Sequence, residues 1–147
     1  MDKRLTDAPS ALHPPVAFLD RTYDEALALT RAARDCIAAG VVLPPEGSST
    51  TAALAAAVES MRLTTRITQV MAWCLAQKAI FAGEIERDAD TVERFSLGAR
   101  ELCLGEDNDN ANLLSEPLRA LLAKSRALYV RVLRLDDLMH REVAGHA

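Results

Sequence analysis

The chain has 147 residues, 50% of them hydrophobic, 26% charged and only 4% aromatic, with a net charge of −4. That is the size of one domain with an aliphatic core, and its mild acidity gives no overall basic footprint for nucleic acid. No apolar run approaches the ~20 residues that span a bilayer, and Lys3-Arg4 lead into no apolar stretch, so a cytoplasmic chain without membrane span or signal peptide is expected.

Residues 1–14 mix Asp, Ser, Pro and Ala without periodicity and read as a flexible N-terminal arm. A single helical domain is expected over 15–143, with 144–147 as a tail too short to offer much room for recruiting cargo. Pro14-Pro15 open a first helix, about 16–39, because proline is tolerated in a first turn. Leu19, Tyr23, Ala26, Leu27, Thr30, Ala33 and Ile37 recur at helical spacing as its inner face. Arg21 with Glu25 and Arg31 with Asp35 are spaced for i,i+4 ion pairs, and Gly40 is placed to end the helix. Pro44-Pro45 and Gly47 make a connector, after which Ser48 to Thr51 offer N-caps.

The second helix, about 50–82, contains no Gly or Pro and is a rod of ~50 Å around which the rest must pack. Three faces are legible on it. Ala57, Met61, Thr64, Thr68, Ala72, Leu75 and Ala79 form a mostly small face that lets a neighbouring helix approach closely. Leu63, Ile67, Val70, Cys74 and Phe81 form a bulkier one. Glu59, Arg62, Arg66 and Gln69 share a polar stripe, continued by Trp73 and Ile80 as apolar surface. Residues 70–76 are all apolar, so either the segment after Gly83 or a second copy of the chain must cover this helix.

The segment 84–114 has no clear period. Asp88 to Phe95 can make two helical turns, and Phe95, Leu97, Leu102, Cys103 and Leu104 can fold back over Trp73. Glu106 to Asn110 is a polar loop. Ser115 caps a third helix, about 116–143, with Pro117 in its first turn. Leu118, Leu121, Leu122, Leu128, Val132, Leu135 and Met139 are its apolar face, Tyr129 lies at the edge, and Arg119, Arg126, Arg134 and Arg141 gather opposite with Asp137 among them. The fold class is all-α, a three-helix bundle with a long central helix.

No catalytic, cofactor-binding or metal-ligating pattern emerges. Cys36, Cys74 and Cys103 are far apart, without a C-x-x-C, and read as reduced thiols. There is no Glu-x-x-His pair for a di-iron bundle, and Asp107 to Asn110 lacks the glycine and terminal glutamate of a calcium loop. His13 and His146 fall in the arm and tail, and His140, near the end of the third helix, fits phosphotransfer poorly. Arg62 and Arg66 are like charges at i,i+4, and Glu59 can reach Arg62 at i,i+3; a solvated or internally paired stripe and a protein-recognition patch are both open readings. Trp73, the single tryptophan, reads as core or as an interface anchor, and Arg119, Arg126 and Arg134 as a solvated face or a docking surface for an acidic partner.

Glu59-Ser-Met-Arg-Leu-Thr-Thr-Arg66 followed by Gln69-Val-Met-Ala-Trp-Cys-Leu-Ala-Gln77 resembles a small alphaproteobacterial family, the RcdA family of regulators of CtrA degradation. Pro117 to Leu122 and Leu128 to Asp136 are similar to it as well, so the likeness spans about half the chain. It implies a non-enzymatic, homodimeric three-helix bundle. It also implies an adaptor role in regulated proteolysis by ClpXP during the cell cycle, with protein substrates and a response-regulator-type partner such as CpdR. The family brings no catalytic residues. Glu59, Arg62, Thr65 and Arg66 carry over as a structural or interaction signature. The competing expectation is a sensor whose core binds a small apolar ligand beside Trp73, Cys74 and Phe81.

Overall fold

The structure, a computed structural model, describes residues 14–105 and 110–145. Residues 1–13 of the expected arm with His13, residues 106–109 of the polar loop, and 146–147 of the tail with His146 lie outside the described residues. The elements are α1 (Val16–Ala38), α2 (Thr50–Phe81), α3 (Ala89–Arg94), α4 (Arg100–Leu104), a 3-10 turn (Ala111–Leu113) and α5 (Glu116–Gly145). Helices α1, α2 and α5 pack on one another as the expected three-helix bundle.

Local chemistry explains the boundaries. Ser49 Oγ accepts from the Ala52 amide at 3.2 Å, which caps α2. Gly83, at φ 77°, turns the chain out of it, and the Glu84 amide reaches back to the Ala79 carbonyl at 3.0 Å. Gly40, at φ 70°, does the same after α1. Ser115 Oγ accepts from the Leu118 amide at 3.3 Å at the start of α5. Asp88 and Thr91 form a reciprocal capping box on α3, within the stretch read as two helical turns. Pro14 is buried, so the packed domain begins one residue earlier than the arm boundary set from the sequence.

The core is built from Leu19, Ala26 and Leu29 of α1, Leu63, Ile67, Val70, Trp73 and Cys74 of α2, and Leu118, Leu122, Leu128, Tyr129, Val132 and Met139 of α5. Several side chains differ from their expected places. Thr22 and Leu29 face the core, whereas Thr30 is exposed and Ile37 stands 65% exposed. Glu25 pairs across to Arg131 of α5, not with Arg21, and Asp35 pairs with its neighbour Arg34, not with Arg31. Tyr129 is fully buried instead of lying at an edge. Phe81, placed on the bulky face of α2, is exposed, and so are Ala72 and Leu75 within the all-apolar run.

The segment 95–105 is the cover for α2. Leu97 and Cys103 enter the core, and α4 lies against both α2 and α5. To turn into α4 the backbone places Ala99 at φ 56°, a left-handed conformation in which Cβ crowds the following carbonyl. The cover is therefore strained at one residue. Ala99→Gly should stabilise the protein by about 0.5–1 kcal/mol. Urea unfolding checks this, and an unchanged or lowered midpoint would contradict it.

Candidate functional site

Residues 59, 62, 66, 69 and 73 recur every three or four positions and so share one side of α2. That side is inside the molecule. Glu59, Arg62, Arg66 and Trp73 are all buried, and Gln69 is half-buried. The stripe, open in the sequence between internal pairing and a partner surface, therefore meets the chain's own residues 97–105 and α5.

Each polar member has a defined task. Arg62 Nη1 donates to the Gly105 carbonyl, and its Nε lies 3.5 Å from Glu59 Oε2. Arg66 Nε donates to the Cys103 carbonyl at 2.8 Å, and its Nη1 donates to the Leu122 carbonyl at 3.2 Å and Ser125 Oγ at 3.3 Å. Gln69 Oε1 accepts from the Gly98 amide at 2.8 Å. The Cys103 and Gly105 carbonyls lie at the C-terminal end of a five-residue helix, where no intrahelical donor reaches them. Guanidinium groups fit that position twice over, as multiple donors and as positive charge at the negative end of the helix.

Asp136 fastens the other end of the cover. Its buried carboxylate accepts from Trp73 Nε1 at 3.0 Å, the Leu97 amide at 3.1 Å and Arg100 Nη2 at 3.4 Å. Arg100 also pairs with Asp137 at 2.9 Å. Tyr129 donates its hydroxyl to the Gly98 carbonyl at 2.7 Å. The two glycines allow close approach: a Cβ on Gly98 would stand 3.1 Å from Gln69 Oε1, and one on Gly105 would stand 2.8 Å from Arg62 Nη1, so those side chains would have to shift. His140 Nδ1 lies 2.8 Å from the Asp136 backbone oxygen.

Burial raises the pKa values of the Cys103 thiol and the Tyr129 hydroxyl, and pushes the Cys74 thiol up to about 11. All three are neutral near pH 7, which is the opposite of what an activated nucleophile needs. Among the described residues there is no group of three or more metal-ligating side chains, and no helix is long and apolar enough to cross a membrane.

Sequence reasoning missed Asp136, Ser125 and the two cover glycines. A signal for the first two was present: both interrupt the apolar register of α5 that runs through Leu122, Leu128, Val132 and Met139. A polar residue on an apolar face needs a buried partner.

Two surfaces stay open. One is the small face of α2, where Leu54, Met61 and Leu75 are 64%, 64% and 53% exposed with Thr64, Thr68 and Ala72 between them. It borders an open, mostly apolar groove of about 510 Å³ between α1 and α2, lined among others by Ala33, Ile37, Leu63, Ile67 and Met71. The second is the outer side of α5, where Arg119, Arg126 and Arg134 are exposed as expected. Trp73 and Cys74 are packed in the core while Phe81 is exposed, so the three do not enclose one pocket, and the groove with room for an apolar ligand lies beside Met71.

The model of the family described as "Protein of unknown function (DUF1465)" matches residues 15–147. Neither the curated proteins nor the solved structures gave a match.

Asp136→Ala would leave the Trp73 indole and the Leu97 amide without an acceptor inside the protein. It should cost about 3 kcal/mol and shift the emission of Trp73, the single tryptophan, to longer wavelength. Thiol labelling gives a second readout. At pH 8 half-buried Cys36 should react in minutes while Cys74 and Cys103 stay protected, and Asp136→Ala should open Cys103 first. Equal protection of Cys103 in both proteins would show that Asp136 does not hold the cover.

Proposed function

This chain belongs to the DUF1465 family, and on that premise we propose that it is a non-enzymatic adaptor that acts as a homodimer in regulated, ClpXP-dependent proteolysis of cell-cycle regulators. The observation that carries the reading is the open apolar face of α2. A helix ordinarily turns such a face to a core. Here Leu54, Val58, Met61 and Leu75 point to solvent along ~32 Å of helix, beside a groove that exposed Ile37 extends. Contiguous apolar surface of this kind marks an association site, and the Thr and Ala residues between the large ones let a second helix approach closely. A second copy presenting the same face gives a two-fold, self-complementary interface.

The adaptor role rests on the resemblance to the RcdA family, and the geometry gives its signature a physical meaning. Arg62 and Arg66 bond the cover directly, and Glu59 pairs with Arg62. A shared string of this kind supports a shared fold and leaves partner contacts to the open surfaces. A response-regulator-type protein and the protein substrate are the partners this reading requires.

Light scattering should give twice the chain mass of 16.0 kDa for the wild type and a folded monomer for Met61→Asp/Leu75→Asp. In a reconstituted ClpXP reaction with CtrA and a CpdR-type response regulator, the wild type should accelerate degradation several-fold. A monomeric wild type without effect on degradation sinks the proposal. It would favour the groove beside Met71 as a small-ligand site, which is the sensor reading moved away from Trp73.

A further inference from the structure

The stripe Arg119, Arg126, Arg134 and Arg141 is the strongest charged feature that the fold does not use. All four are exposed, and among the described residues none makes an ion pair or a side-chain hydrogen bond. Other arginines of this chain do find carboxylates: Arg34, Arg87, Arg94, Arg100 and Arg131 all pair. In a chain with more acidic than basic residues, four unpaired guanidiniums in a row are unbalanced charge. On α5 itself the carboxylates on the same side are Glu116, one turn before Arg119, and Asp137, which Arg100 already holds.

From this arrangement we infer that the outer face of α5 is a docking rail for an acidic α-helix of a partner protein. The inference rests on the adaptor reading for the existence of such a partner and adds the chemistry that recognises it. The arginines follow one another at intervals of 7, 8 and 7 residues, which is two helical turns each, ~10–12 Å along a rail of ~33 Å. Carboxylates two turns apart on a second helix have the same pitch. An extended strand repeats its side chains on one face every ~6.8 Å, which does not match. A nucleic acid strand carries a phosphate far more often than every 11 Å and is held by denser, more basic surfaces than one line of four cations on a chain of net charge −4. Between the arginines lie Ala123 and Ala127, both exposed, and half-buried Val130. These short side chains let a helix settle between the guanidiniums, whose forked donors then take the carboxylates bidentately.

The test uses the full-length protein and a fluorescein-labelled, alanine-rich helical peptide with glutamates at intervals of 7, 8 and 7. Fluorescence anisotropy should show saturable binding that weakens more than about tenfold when ionic strength rises from about 0.05 M to about 0.5 M. A peptide of the same composition with its glutamates dispersed around the helix should bind at least about fivefold more weakly. Arg126→Glu/Arg134→Glu should abolish binding with unchanged circular dichroism and thermal midpoint, and a peptide with lysines in place of two glutamates should bind that variant instead. Equal binding of both glutamate peptides, absence of binding, or failure of the charge swap would each overturn the rail. So would tighter, arginine-dependent binding of a single-stranded oligonucleotide. The peptide arm decides the rail whether or not the chain stimulates proteolysis. In the ClpXP reaction, lost stimulation by a still-dimeric Arg126→Glu/Arg134→Glu variant supports it, and full stimulation overturns it while leaving the adaptor reading standing.

Discussion

The structure depends on one constraint: residues 97–105 carry backbone groups that they cannot satisfy among themselves. A helix of five residues leaves most of its amides and carbonyls without intrahelical partners, and here the segment packs on the polar stripe of α2 and on α5. Side chains of α2 and α5 supply the missing partners. The Gly105 and Cys103 carbonyls take Arg62 and Arg66, the Gly98 amide and carbonyl take Gln69 and Tyr129, and the Leu97 amide takes Asp136. Two buried guanidiniums on neighbouring turns would repel each other in isolation. Between them Glu59, four acceptor oxygens and the negative end of α4 supply the compensation. Because Arg66 also grips Leu122 and Ser125 on α5, the cover and the helix–helix packing stand or fall together.

This constraint modifies the usual amphipathic pattern on α2. Glu59, Arg62, Arg66 and Gln77 of the long helix point inward beside its apolar core residues, while Leu54, Met61 and Leu75 point outward. Both alternatives that the sequence leaves open for covering this helix therefore bear on different sides of it. The segment after Gly83 covers the side with Arg66 and Trp73. The opposite side, from Leu54 to Leu75, is covered by nothing among the described residues. An interior clamp and an exterior apolar face on one rod are what a chain needs if its stability is self-contained and its apolar surface serves association.

How much of this was legible in the sequence follows from the range of each interaction. The three long helices were readable because their stops are local chemistry: Gly40 and Gly83 at positive φ, and Ser49 and Ser115 as caps. Segment α3 was readable for the same reason, through Asp88 and Thr91. Helix α4 was not, since five residues have no period and are held by side chains more than thirty positions away. The polar stripe was found, but its direction was not. A helical wheel shows that Glu59, Arg62, Arg66 and Gln69 share a face. It does not show whether that face meets water or the backbone of another segment. Gly98 and Gly105, seven residues apart, mark the segment that approaches it closely. Ile37 was misplaced for a related reason: it continues the period of α1 but borders the open groove.

The clamp also decides what the rest of α5 displays. Leu122, Ser125, Tyr129 and Asp136 must face α2 and the cover, because each holds a bond there. That fixes the rotation of α5 about its own axis. Turning the helix by one residue, ~100°, would break all of these bonds and carry Arg126 towards the place of Ser125. With the rotation fixed, Arg119, Arg126 and Arg134 have nowhere to go but outward. The apolar face of α2 and the arginine line of α5 share no residue, so a second copy on the first leaves the second accessible. A polar network that looks like a binding patch in the sequence thus acts at one remove. It is buried within the chain, and it sets which side chains of α5 face outward.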